Sequence, residues 1–154
     1  MSEQQQPAFA IDKIYLKDLS LEIPNAPQVF TEPEPPQFEI NLHNQARALD
    51  AGVFEVVLTA TVTAKVKDKT AFLVEAAQAG IFQIRNFPQK ELEAVLAITC
   101  GDVLLPYLRE NISNAVTRGG FPPFVLNHLS FGELYHQRQQ QEQRQAGAPA
   151  PLAS

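Results

Sequence analysis

A chain of 154 residues with 45% hydrophobic content is long enough to bury a working core as one domain, without metal or disulfide support. Its net charge of −5 argues against nucleic acid or an anionic membrane as the main partner and suits a basic protein partner. The single cysteine, Cys100, favours a reducing compartment. The polar start MSEQQQPAFA is no secretory signal and no apolar run reaches membrane-span length, so a soluble cytoplasmic protein with no direct membrane insertion is expected.

In chain order, residues 1–8 form a flexible N-terminus, 9–137 the folded domain and 138–154 a polar, disordered tail. Phe9 to Glu22 reads as a strand. Phe9, Ile11, Tyr15, Leu19 and Leu21 share one parity, while Ile14 and Leu16 break it. Pro24 ends it, and the five prolines of 24–36 predict an extended connection. Phe38, Ile40 and Leu42 alternate with polar residues as a short strand, and 48–52 turns the chain. From Val53 to Lys67 the even positions are all apolar and the odd ones mostly Thr, Lys and Glu, which predicts a strand with one dry and one wet face. Lys67-Asp68-Lys69 turns it back without Asn-Gly turn chemistry. The following strand, Thr70 to Phe82, is largely apolar on both faces and asks for cover on both.

The second half is helical. Pro88 suits a helix start, followed by the stripe Leu92, Val95, Leu96 and Thr99. Gly101-Asp102 is expected to interrupt it, with Asp102 capping a second segment kinked near Pro106 and ended by Gly119-Gly120. Residues 121–129 read as irregular, and Ser130 to Glu133 as a capping box opening a helix with Phe131, Leu134 and Tyr135. The fold class is therefore α+β: a four-stranded antiparallel sheet, most simply a meander of hairpins, then a long kinked helical region and a C-terminal helix.

Catalytic chemistry is not evident. His43, His128 and His136 have no Cys or Asp partners at metal-ligand spacing, Cys100 has no CxxC partner, and Gly119-Gly120 follows a helix rather than a strand. Arg85, Arg109 and Arg118 are not grouped. No catalytic residue, metal or cofactor is expected. Two features stand out. Phe121, Phe124, Leu126 and Leu129, beside Phe38, Ile40 and Leu42, read either as core or as a groove for apolar peptide segments. Asp18, Glu22 and Glu75 put carboxylates on strands, where the pattern alone says a solvated face.

The segments PNAPQVF (24–30), FEVVLTATVTA (54–64), TAFLVEAAQAGIF (70–82) and LPYLRENISNAVTRGGFPPFVLNHLSF (105–131) resemble the SecB family, cytoplasmic export chaperones of proteobacteria, from about Phe9 to Tyr135. The proline-rich 31–36 departs from the family's usual form, which often carries a tryptophan there. The resemblance implies a homotetramer built as a dimer of dimers, and ATP-independent holding of unfolded preproteins for delivery to the motor SecA. It places SecA's zinc-bearing tail, whose zinc belongs to the partner, against Asp18, Glu22, Leu73 and Glu75. It places the client groove on Phe38, Ile40, Leu42, Phe124, Leu126 and Tyr135, and oligomer assembly on Val74, Ala76 and Gln78. A SecB-like chaperone for another client set, such as a toxin–antitoxin pair, and a small-ligand carrier on the same fold are the alternatives.

Overall fold

The structure, a computed structural model, describes residues 6–126 and 130–147. Four antiparallel strands form one sheet: β1 (Ala8–Glu22), β2 (Gln37–Asp50), β3 (Val53–Val66) and β4 (Lys69–Arg85). The sheet order is β1-β4-β3-β2. The β2–β3–β4 hairpins are as the sequence predicts, except that β2 runs on to Asp50 where a short strand is expected; β1 lies beside β4 rather than β2, so the sheet is not a simple meander. Glu22 pairs with Leu73, and Gln37 with Lys65. Both ends of the proline-rich link therefore sit at the β3–β4 turn, and the link must pass over that end of the sheet. Asn25 Nδ2 donates to the Thr70 carbonyl at 2.9 Å, a single 3₁₀ turn forms at Gln28–Thr31, and Val29 is buried. The β3–β4 turn is tight because Lys67 takes a left-handed φ of 55°, a conformation a lysine rarely adopts, so turn chemistry marks it weakly.

The parity break in β1 has a structural cause. Its pairing with β4 slips between Ile11 and Lys13 and again between Leu16 and Asp18. Each slip inserts one unpaired residue, Asp12 or Lys17, and flips the faces of the residues beyond it. Phe9 and Ile11, then Ile14 and Leu16, then Leu19 and Leu21 thus all point to one face. That face also carries the even positions of β3 and β4, among them Val56, Leu58, Val62, Val74, Ala76 and Phe82, all fully buried.

The cover is one unbroken helical region: α1 (Gln89–Ala94), a π-helical stretch (Val95–Thr99) and α2 (Cys100–Arg118). The expected interruption at Gly101-Asp102 does not occur. Thr99 and Cys100 are helical, and Asp102 makes no cap. The helix absorbs its irregularity one turn earlier, where the Cys100 N–H donates five residues back to Val95. Gly101 is tolerated because the Phe131 ring occupies the space its side chain would fill: a Cβ there would lie 2.9 Å from Phe131 Cδ1. Leu104, Leu105, Leu108, Ile112, Ala115 and Val116 form the buried stripe of α2, which packs chiefly on β4. After α2, Gly120 at φ 92° lets the Phe121 N–H reach the Val116 carbonyl and the Gly120 N–H reach Thr117. This turn sends Phe121 back over the sheet end. The last helix, α3 (Phe131–Gly147), opens with the Glu133 N–H donating to Ser130 Oγ and runs on, exposed, through the glutamine-rich stretch, so residues 138–147, expected in a disordered tail, are helical. His128 and Leu129 lie outside the described residues, as do 1–5 and 148–154.

The second apolar face of β4 finds part of its cover inside the chain. Ala79 pairs with Tyr15 on one side and Val57 on the other, and both Ala77 and Ala79 are buried.

Candidate functional site

Phe38, Ile40 and Leu42 pair with Ala64, Val62 and Ala60, so they belong to the helix-covered face. Their strand is the sheet edge farthest from β1, and α2 stops short of it. Phe38 therefore remains 44% exposed and Ile40 46%, with Leu42 half-buried. At the Phe38 end the fold gathers an aromatic nest. Ring centroids lie 4.7 Å apart for Phe38 and Phe124, 6.2 Å for Phe38 and Phe72, 5.0 Å for Phe72 and Phe121, and 5.1 Å for Phe30 and Phe121. These five rings line a cavity of about 430 Å³ open to solvent. Glu32 and Glu34 stand at its rim and both approach Lys67 Nζ, at 3.9 and 3.7 Å. At the Leu42 end a second hollow of about 280 Å³ is lined by Leu42, Asn44, Phe131, Leu134 and Tyr135. Asn44 Nδ2 donates to the Ala97 carbonyl, which leaves Asn44 Oδ1 as a buried acceptor with no partner among the described residues. Ile40 links the two hollows along the strand.

Five of the six expected groove residues thus lie along one furrow. Leu126 does not: at 3% exposure it is core, while its neighbour Val125 faces solvent. Phe30 belongs to the furrow and is not found from the sequence, where it sits in what reads as a bare connection. Only the passage of that link over the sheet end brings it to Phe121. Phe72 reads from periodicity as an ordinary strand residue.

The opposite face of the sheet carries the acidic set. Glu22 pairs with Leu73, Ser20 with Glu75 and Asp18 with Ala77, so Asp18, Glu22, Leu73 and Glu75 share this face and none is buried. Glu75 accepts a hydrogen bond from Thr61 Oγ1 at 3.0 Å. Beside them lies a cluster that periodicity does not mark. Glu55 is 5% exposed on this open face. It accepts from the Tyr15 hydroxyl, from Lys17 Nζ at 3.0 and 3.1 Å, and from Arg47 Nε at 3.1 Å. Side chains from β1 and β2 thus converge on one carboxylate of β3. The Tyr15 hydrogen bond, with help from the two cations, holds the Glu55 carboxyl below its ordinary value against the opposing effect of burial. Burial first, and then Glu55, push the Tyr15 phenol up to about 12.

Val74, Ala76 and Gln78 are closed off under α2 and show no surface of their own. Gln78 bridges instead, donating to the Tyr15 carbonyl at 3.0 Å and accepting from Asn111 Nδ2 at 2.6 Å. Burial pushes the Cys100 thiol up to about 12, as suits an inert core residue. His43 and His136 are exposed, and among the described residues no three His, Cys, Asp or Glu side chains group as a metal site. No helix among the described residues is long and apolar enough to cross a membrane.

The half-exposed rings and aliphatic groups beside β2 thus form an open, apolar furrow on an α+β scaffold. The family model described as preprotein translocase subunit SecB matches residues 2–142. The chain is 54% identical over 147 residues to the protein-export protein SecB of Methylobacillus flagellatus, covering 96% of this chain and 94% of that one. It is 54% identical over 152 residues to that of Dechloromonas aromatica, covering 99% and 98%. Its fold is similar to that of a SecB-like chaperone from Mycobacterium tuberculosis, solved in complex with a peptide from the HigA1 antitoxin. The TM-score is 0.66 at 21% identity, covering 79% of this chain and 91% of that one. The chain belongs to the SecB family of protein-export chaperones.

Proposed function

We propose that the furrow from Phe30 to Tyr135 holds extended apolar segments of unfolded preproteins without nucleotide, and that the acidic face presents the loaded chaperone to SecA in the cytoplasm. The observation that carries the first half is the set of half-exposed rings and aliphatic groups on β2 and the 121–124 turn. A folded client hides such segments, so an apolar furrow selects unfolded chains. Each well-seated client side chain contributes roughly 1.5–3 kcal/mol, less the cost of ordering the client. Several furrows in one assembly add through effective concentration. The assembly we infer is a homotetramer, a dimer of dimers. Ile11, Leu16 and Leu19 of edge strand β1 point to the helix side yet stay exposed, which a second copy would cover. Val74, Ala76 and Gln78 would then act on assembly through α2 rather than by direct contact.

The second half rests on charge: a basic, zinc-bearing tail of SecA fits a face on which Asp18, Glu22 and Glu75 make no ion pair among the described residues. Titration of SecA onto the full chain tests it. Asp18→Lys with Glu75→Lys should abolish binding, and salt should weaken the wild-type complex. Unchanged binding by the double variant would refute this docking face. A client set drawn from a toxin–antitoxin pair is the less favoured reading, since the acidic positions fit the export partner.

A further inference from the structure

The docking face holds cations as well as carboxylates, and the fold has arranged where they go. The bulge at Lys17 puts Lys17 and Asp18, neighbours in sequence, on the same open face instead of opposite ones. Both line one shallow depression of about 340 Å³ together with Arg47 and Glu55. A lysine in that place, left free, would fold onto Asp18 and present positive charge to a basic partner. It does not do so: its ammonium is drawn to both Glu55 oxygens, and Arg47 meets the same carboxylate from the other side. Tyr15 takes the remaining approach to Glu55 and helps to keep it buried.

We propose that Glu55 is a positioning residue of the docking face: by holding Lys17 and Arg47 it keeps Asp18, Glu22 and Glu75 open to a basic partner. This role rests on the docking reading above. Glu55 acts through the two cations, whose side chains stay 44% and 67% exposed but whose charged groups lie against its carboxylate. Without its charge, two released cations would stand among three carboxylates, and the attraction that steers and holds a basic tail would fall.

The test is SecA binding to the full-length chaperone at low and high salt, with preprotein holding measured on the same samples. Glu55→Gln should weaken SecA binding about tenfold at low salt and flatten its salt dependence, while preprotein holding stays intact. Adding Lys17→Met to Glu55→Gln should bring affinity back to within roughly threefold of wild type, because one of the two released cations is gone and the cluster's net charge is again that of wild type. Glu55→Gln binding as tightly as wild type would overturn the proposal, and so would a loss that Lys17→Met does not restore, which is what a merely structural role gives. Should Glu55→Gln fail to fold, Lys17→Met alone decides. Affinity within about twofold of wild type supports a sequestered lysine, and a clear loss shows Lys17 meeting the partner directly, which overturns the proposal. Full binding by Asp18→Lys with Glu75→Lys would strike down the docking face instead, an outcome distinct from any of these.

Discussion

Glu55 is the residue whose chemistry departs furthest from its surroundings. Three donors from two other strands hold it ionised on a face that is otherwise open. Its folded pKa lies below the ordinary 4.5, so it adds stability at every pH above that value, and this is lost as pH falls through the depressed pKa. Glu55→Gln should therefore unfold more easily than wild type near neutrality, by about 1–2 kcal/mol for a partly solvated network. The gap should close in acid below 4.5, read by denaturant melts at several pH values; a gap that persists unchanged would exclude the ion pairs as its cause. Tyr15 has the opposite sign. Its raised pKa contributes stability below its ordinary value of 10.0, lost as pH rises through about 12, and Tyr15→Phe should lack that alkaline limb.

At the scale of elements, the long helix and β1 show how far pattern reaches. The stripe from Leu92 to Val116 is legible on either side of the π-helical turn, but the turn shifts it by one residue, so Thr99, expected on the stripe, is exposed and Cys100 is buried in its place. The continuity through Gly101 is not, because it depends on the ring of Phe131, distant in sequence, filling the place of a side chain. Gly101→Ala should push α3 off the helix it packs on. Hydrogen exchange over 131–138 should quicken while the sheet stays protected, and equal protection in both proteins would mean that α3 docks elsewhere. In β1 the apolar residues themselves record two bulges, yet single-strand parity cannot say which residue is extra; only the pairing with β4 assigns Asp12 and Lys17. Phe30 stayed hidden for a related reason, since a proline-rich link carries no periodicity and its path is set by strand order.

For the whole molecule, the function proposed above divides one sheet between two tasks. Its helix side, at the β2 edge, has an apolar furrow that would take client chains, and its open side, toward β1, has carboxylates that would meet a basic partner. The alternation of β3 made both faces readable in the sequence. Which apolar residues stay uncovered was not readable, because cover depends on where α2 ends relative to the outermost strand. Leu126 and Phe124, two positions apart, fall on opposite sides of that boundary. For the tetramer proposed above, native mass spectrometry should show a particle of four 17.0 kDa chains; a monomer at micromolar concentration would contradict that assembly and leave the exposed Ile11, Leu16 and Leu19 without a covering copy.

The most direct test is the delay of preprotein refolding, without nucleotide, by Ile40→Ser with Phe124→Ser against Asp18→Lys with Glu75→Lys. The furrow variant should lose most of its holding activity with its fold intact by circular dichroism, since both side chains are already partly solvent-exposed, and the acidic-face variant should hold as wild type does. Undiminished holding by the furrow variant, or equal loss in both, would contradict the division of the sheet into a client side and a partner side.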